Sequence, residues 1–116
     1  MLPRQNRLKN SSDFDKVYKS GKYAKGKYGR LGIYSRGDGL PSRFGVVVPS
    51  KFGKAAKRSR AKRQVREIFK QLLVLSPSGL DITYIVWDLG FDFSSLDKEM
   101  TVLFNKLMKQ IDKEKK

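Results

Sequence analysis

The chain has 116 residues, a length that suits one domain, and it contains neither cysteine nor histidine. Disulfides, thiolate chemistry and imidazole-dependent triads are therefore excluded, together with zinc sites built on these residues. Lys and Arg number 26 against 11 Asp and Glu, which gives a formal net charge of +15. No apolar run approaches the roughly 20 residues of a membrane helix, and the N-terminal residues lack the apolar core of a secretory signal, so we expect a soluble, cytoplasmic protein.

The positive charge is concentrated in the middle of the chain. Residues 16–70 contain 17 basic residues and only two acidic ones, whereas the segments on either side are close to neutral. Such one-sided charge repels itself in the folded protein and is typical of a chain that binds a polyanion. A solvated charged face and an anionic membrane surface are the alternatives. We favour nucleic acid, because the apolar side of the basic helix described below is needed for the core.

The first element is a short helix over about residues 13–20. Ser12 and Asp15 have the spacing of a helix-start signal, and Gly21 is suited to end the helix. Phe14, Val17 and Tyr18 follow the helical period on one side.

Residues 22–49 lose the helical period and take on strand character. Residues 30–35 and 43–48 alternate as strands do, and residues 22–27 indicate a weaker strand before them. The glycine-containing stretch 36–39 is a turn between the two clear strands.

The strongest helical pattern covers residues 54–75. Its apolar stripe consists of Ala61, Val65, Ile68, Phe69, Leu72 and Leu75. A strand over residues 81–87 follows, and Ser94 and Ser95 start a last helix with the stripe Leu96, Met100, Leu103, Phe104, Leu107 and Ile111. The pattern predicts an α+β fold: a single two-layer domain over residues 1–116 in α-β-β-β-α-β-α order, with helices packed on a small mixed sheet.

The helix over residues 54–75 also predicts a row of cations. Arg58, Lys62, Arg66 and Lys70 recur every fourth residue, and Arg63 joins their side. Like charges at this spacing destabilise an isolated helix by a few tenths of a kcal/mol per pair, roughly, so compensation from outside the chain is expected. The planar arginine fork makes RNA or DNA phosphate the best candidate.

The same segment resembles the signature of a known family, the bacterial ribonuclease P protein subunit. Residues 51–67 read KFGKAAKRSRAKRQVRE. The residues that match the signature in identity and spacing are Lys51, Gly53, Ala55, Arg58, Arg60, Lys62, Arg63, Arg66 and Glu67. Two positions depart from the family: Ser59 stands where Asn is usual, and Trp87-Asp88 stands where a basic residue is common.

The resemblance implies an accessory subunit of a ribonuclease. In that family a large catalytic RNA with bound Mg²⁺ removes the 5′ leader of precursor tRNA. The resemblance therefore implies that the protein contributes no catalytic residue and no metal site, and that it acts on no small-molecule substrate and at no membrane. The residues implied to bind the RNA subunit are Arg58, Ser59, Arg60, Lys62, Arg63 and Arg66.

The resemblance also implies a cleft for the single-stranded leader, between the first helix and the sheet. Its residues in this chain are Phe14, Tyr18 and Tyr34, with Lys51 at the basic rim. Stacking of a base on an aromatic ring tolerates any sequence, which suits leaders that differ between substrates. Periodicity alone would place Phe14 in the core, and both interpretations of this residue stay open.

Two other functions compete with this hypothesis. A small basic ribosomal or other structural RNA-binding protein would have the same size and charge. A nuclease that works without an RNA subunit is the second alternative. The acidic residues form no convincing pair for a metal in the basic half, whereas Asp88 and Asp92 have the residue type of metal ligands but more often form turns.

Overall fold

The computed structural model describes residues 2–114, the last two by their backbone alone. The elements in chain order are α1 (Ser11–Ser20), β1 (Lys22–Lys25), β2 (Gly29–Ser35), β3 (Arg43–Val47), α2 (Ala55–Leu75), β4 (Leu80–Val86) and α3 (Phe93–Glu114). Single turns of 3-10 helix, Arg4–Asn6 and Ser50–Phe52, precede α1 and α2. The α-β-β-β-α-β-α order predicted from the sequence is confirmed, including the weaker first strand.

The four strands form one mixed sheet in the order β1-β2-β4-β3. β2 pairs antiparallel with both β1 and β4, whereas β3 and β4 are parallel and are connected through α2. A parallel pair needs a long crossover, and the 21-residue helix supplies it.

The main core lies between one face of the sheet and the apolar stripes of α2 and α3. The buried residues include Leu31, Ile33, Ile82 and Tyr84 from the sheet, Val65, Ile68, Phe69 and Leu72 from α2, and Leu96, Met100, Phe104 and Leu107 from α3. One member of the predicted α2 stripe is not in this core. Leu75 is 64 % exposed, because it is the last residue of the helix and the chain turns away at Ser76.

The other face of the sheet carries three rows of side chains that run across the strands. The register aligns Tyr34, Asp81 and Arg43 in the first row, here named the Asp81 row. Gly32, Thr83 and Gly45 form the glycine row. Arg30, Ile85 and Val47 form the Arg30 row.

Helix α1 is seated on the glycine row. A Cβ at Gly45 would collide with the Phe14 ring, and one at Gly32 would lie 3.0 Å from the Val17 side chain. The two glycines therefore allow the helix to approach the sheet closely. The Asp81 row and the Arg30 row are left on opposite flanks of α1.

The beginning of α3 differs from the prediction. The helix starts at Phe93, and the carboxylate of Asp92 accepts a hydrogen bond from the Ser95 amide at 2.7 Å. This backbone bond lowers the pKa of Asp92. Asp92 is thus the capping residue, two and three residues before the predicted serines Ser94 and Ser95.

Glu99 of α3 holds the turn between β1 and β2. Its carboxylate accepts hydrogen bonds from the Lys27 and Tyr28 amides and, at 2.6 Å, from the Tyr84 hydroxyl. Burial raises the pKa of the Tyr84 phenol, and the bond to Glu99 adds to the shift.

We expect Glu99→Ala to lower the free energy of unfolding by about 2 kcal/mol, because it leaves the buried Tyr84 hydroxyl and two amides without an acceptor. Urea unfolding of the purified chain measures this change. Glu99→Gln keeps one acceptor oxygen, so its free energy of unfolding should fall by less. Equal losses in the two variants would contradict the role given to the hydrogen bonds.

Candidate nucleic-acid interface

The basic face of α2 is open to solvent. Arg60, Arg63, Arg66 and Lys70 are exposed, and Arg58 and Lys62 are half-buried. Within residues 2–112, none of these side chains forms an ion pair, although Glu67 lies on the same helix. Their charge is therefore available to a polyanion.

The six residues expected to bind the RNA subunit do not all have the same surroundings. Ser59, Lys62, Arg63 and Arg66 surround one open depression together with Glu67. Arg58 instead donates a hydrogen bond from Nε to the Gly53 carbonyl at 3.2 Å, and Arg60 does not line the depression. Gly53 has φ +92°, a conformation that favours glycine, so the turn before α2 depends on it.

Arg66 connects this depression to a second one at the β3 edge of the sheet. The second cavity, of about 350 Å³, has a mainly apolar wall and a basic rim formed by Arg7, Lys9 and Arg66. Phe14 and Gly45 also line it. The N-terminal segment forms its outer side, held by a 2.9 Å hydrogen bond from the Leu8 amide to the Phe44 carbonyl.

Phe14 in turn connects the second depression to a groove on the sheet face, here named the sheet groove. Its floor is the Arg30 row with Gly32 and Thr83, and its walls are Phe14, Asp15, Val17 and Tyr18 of α1 and Tyr23 of β1. Its volume is about 140 Å³. The depression on α2, the cavity at the β3 edge and the sheet groove thus follow one another. Arg66 lines the first two and Phe14 lines the last two.

The structure brings together only two of the four residues expected in the leader cleft. Phe14 and Tyr18 line the sheet groove, and Tyr18 is 61 % exposed. Tyr34 belongs to the Asp81 row on the other flank of α1, where it lines a separate depression with Ser20 and Gly21. Lys51 lies in the 3-10 turn before α2, with its Nζ 5.5 Å from the Phe52 ring centroid, and lines none of these depressions.

Two arginines of the basic middle segment are engaged inside the protein. Asp81, 1 % exposed, accepts hydrogen bonds from the guanidinium groups of Arg36 and Arg43, the latter at 2.8 and 2.9 Å. Arg43 also pairs with Asp13 of α1 at 3.3 Å. The network therefore joins β3, β4 and α1, and it fixes α1 beside the Asp81 row.

The ion pairs and hydrogen bonds of this network stabilise the charged forms of its members. The hydrogen bond with Asp81 raises the pKa of Arg43, and burial of Arg36 is outweighed by its bonds to Asp38 and Asp81, so its pKa is also raised. The hydrogen bond from Arg36 lowers the pKa of the exposed Asp38 carboxyl. A lowered carboxyl pKa stabilises the fold above its ordinary pKa, and this stabilisation is lost as the pH falls through the lowered value.

Sequence reasoning did not identify Arg36, Arg43 and Asp81 as one cluster, nor did it place Arg30 and Tyr23 in the groove. The alternation of β2 puts Arg30 on the same face as Gly32 and Tyr34, which is a usable signal. The pairing register that brings Tyr23 beside them is not readable from local sequence.

Comparison with known proteins identifies the family. The family model described as Ribonuclease P matches residues 2–108. The chain belongs to this family. A ribonuclease P protein component of Pseudanabaena sp. (strain PCC 6903) is 45 % identical over 87 residues, which cover 74 % of this chain and 75 % of the relative. That of Thermotoga maritima is 42 % identical over 83 residues, which cover 71 % and 69 % of the two chains.

Solved structures agree with this membership. The RNase P protein from Thermotoga maritima superimposes with a TM-score of 0.72 at 33 % identity, covering 89 % of this chain and 96 % of that one. The RNase P protein of Staphylococcus aureus has a TM-score of 0.78 at 22 % identity, covering 86 % and 93 %, and shows the same fold. The role of a protein subunit of the endoribonuclease ribonuclease P, in processing the 5′ end of tRNA, follows from the family.

No helix within residues 2–114 is long and apolar enough to cross a bilayer. Within residues 2–112, no three acidic side chains lie close enough together to hold a metal ion.

Proposed function

We propose that the chain binds the catalytic RNA subunit of ribonuclease P through the basic face of α2, and the 5′ leader of precursor tRNA through the sheet groove and the depression that Tyr34 lines on the other flank of α1. The observation that carries this proposal is the succession of three neighbouring depressions, in which Arg66 lines the first and second and Phe14 lines the second and third. A single RNA-binding domain can in this way contact folded RNA with one end of the surface and an unpaired strand with the other. Cytoplasmic precursor tRNA is the corresponding substrate.

In this proposal the RNA subunit, and not the protein, carries out the chemical step. The chain has no histidine and no cysteine, and phosphodiester hydrolysis is assigned to the RNA subunit with its Mg²⁺. The protein holds the leader beside that RNA. Its cations lower the repulsion between substrate and RNA subunit, and the effect is greatest when Mg²⁺ is scarce.

Reconstitution of the full chain with a bacterial ribonuclease P RNA tests the function. We expect cleavage of precursor tRNA at low Mg²⁺ by the assembled particle, and none by the protein with Mg²⁺ alone. Turnover by the protein alone would favour a self-sufficient nuclease. Recovery from cells of ribosomal RNA, without enrichment of one catalytic RNA, would favour a structural RNA-binding protein.

The leader contacts proposed for Tyr18 and Tyr34, on opposite flanks of α1, can be measured separately by substituting each tyrosine. We expect Tyr18→Ala and Tyr34→Ala each to lower affinity for precursor tRNA about tenfold, the size of one lost stacking contact, with mature tRNA unaffected. Because the two rings lie on opposite flanks of α1, they contact different nucleotides, and the effects should add.

Titrations with leaders shortened one nucleotide at a time measure this separation. The effect of each substitution should disappear at a different leader length. Disappearance at the same length would show that both rings contact one nucleotide, against the geometry. A Tyr34→Ala effect on mature tRNA as well would remove Tyr34 from the leader contacts.

A further inference from the structure

Arg30 lines the sheet groove and lies against two tyrosine rings. Its guanidinium carbon lies 4.6 Å from the Tyr18 ring centroid and 4.7 Å from that of Tyr23. The three side chains come from α1, β1 and β2, and both rings are more than half exposed. The contacts with two rings restrict the rotamers of a long side chain that would otherwise be free.

The hydrogen-bonding groups of Arg30 are not used by the protein. Within residues 2–112, its guanidinium donates to no acceptor and pairs with no carboxylate, although Asp15 lines the same groove. No buried side-chain nitrogen or oxygen lacks a partner in that part of the chain, so the nitrogens of Arg30 are reachable from solvent. Arg36 shows the opposite arrangement, since Asp38, Asp81 and three carbonyls take up its donors.

This geometry suits a phosphate. Contact with an aromatic ring uses the faces of the guanidinium, whereas its N–H groups lie in the plane and form a fork that matches two phosphate oxygens. The apolar floor beside it, from Ile85 and Val47, suits the adjoining base. A nucleotide in the sheet groove would therefore have its base against the floor or the rings and its phosphate at the fork.

We propose that Arg30, positioned by Tyr18 and Tyr23, binds one backbone phosphate of the unpaired leader strand. This inference rests on the proposed function, because it assigns the ligand of the sheet groove. It adds Arg30 and Tyr23 to the leader contacts and predicts that the protein recognises one particular phosphate position rather than charge in general.

A leader carrying a single methylphosphonate, moved one position at a time, tests the proposal in the particle assembled from the full chain and the RNA subunit. With the wild-type protein, we expect one position to lower precursor affinity about tenfold, the effect of a lost charge-assisted hydrogen bond. With Arg30→Gln, affinity for the unmodified precursor should fall about tenfold, and that same position should cost nothing further.

The matched control is Lys25→Gln, which removes a cation directly opposite Arg30 in the strand register; within residues 2–112 only Arg30 forms cation–π contacts with Tyr18 and Tyr23. We expect Lys25→Gln to lower precursor affinity less than threefold. It should not abolish the effect of a methylphosphonate at any single leader position. An equal loss of precursor affinity for Lys25→Gln would overturn the proposal. A wild-type protein for which no methylphosphonate position lowers affinity would also overturn it, and that measurement needs no variant. Unchanged affinity for the RNA subunit shows that Arg30→Gln is folded.

The outcome also distinguishes this inference from the proposed function. If the wild-type particle does not prefer precursor over mature tRNA, the leader-binding function itself is wrong. If it prefers precursor and Arg30→Gln does so equally, only the role of Arg30 is wrong.

Discussion

Replacement of Lys62, Arg63 and Arg66 by glutamine is expected to lower affinity for the catalytic RNA by about two orders of magnitude near physiological salt. These three side chains surround the depression on α2 and have no ion-pair partner within residues 2–112. Glutamine is a good helix former, so the change removes charge without removing the helix. Filter binding at several salt concentrations measures both the affinity and its salt dependence.

The salt dependence makes this prediction specific. Each phosphate contact that is lost should flatten the log–log salt slope by about one unit, so the triple variant should lose two to three units, roughly. The charge-matched control replaces Lys98, Lys106 and Lys109, three exposed lysines of α3. If the control lost as much affinity and slope, binding would depend on net charge and not on the face of α2.

Asp81→Asn is expected to lower the free energy of unfolding by about 3 kcal/mol, because it leaves two largely buried guanidinium groups without their shared carboxylate. The side chains of Arg36 and Arg43 are 12 % and 29 % exposed, so water only partly replaces the lost partner. Thermal and urea unfolding measure the loss. We also expect weaker discrimination of precursor from mature tRNA, since Arg43 holds Asp13 and with it α1.

Asp38→Asn is the control for this prediction. Asp38 is exposed and bonds Arg36 as Asp81 does, but Arg36 keeps its buried partner when Asp38 is changed. A much smaller change in unfolding is therefore expected. Similar losses for both variants would show that the buried carboxylate has no special role.

Helix α2 shows how far local pattern carries a prediction. Its predicted range of residues 54–75 and the observed Ala55–Leu75 agree closely, because the apolar stripe repeats over several turns. Local pattern does not determine the start of α3, since Asp92, Ser94 and Ser95 are all capping residues by type. Only the position of the Asp92 carboxylate on the Ser95 amide distinguishes them.

The residues of the candidate site also fall into those that local sequence predicts and those that only tertiary contacts bring together. The cations of α2 are visible in the sequence because they repeat along one helix. The groups that bind each other across the sheet are not, since Arg36 and Asp81 are 45 residues apart and meet only through strand pairing. The same holds for Tyr34, which the sequence grouped with Phe14 and Tyr18 although it lies in the Asp81 row, outside the sheet groove that those two α1 residues line.

The sequence by itself determined the order of the elements, the basic face of α2 and the membership of the family, because each of these is written in local periodicity or in consecutive residue identities. The tertiary structure decided which cations remain free and which are bound internally, and on which flank of α1 each aromatic ring lies. The physical reason is that strand register and the close seating of α1 on Gly32 and Gly45 set these contacts, and both depend on partners distant in the chain.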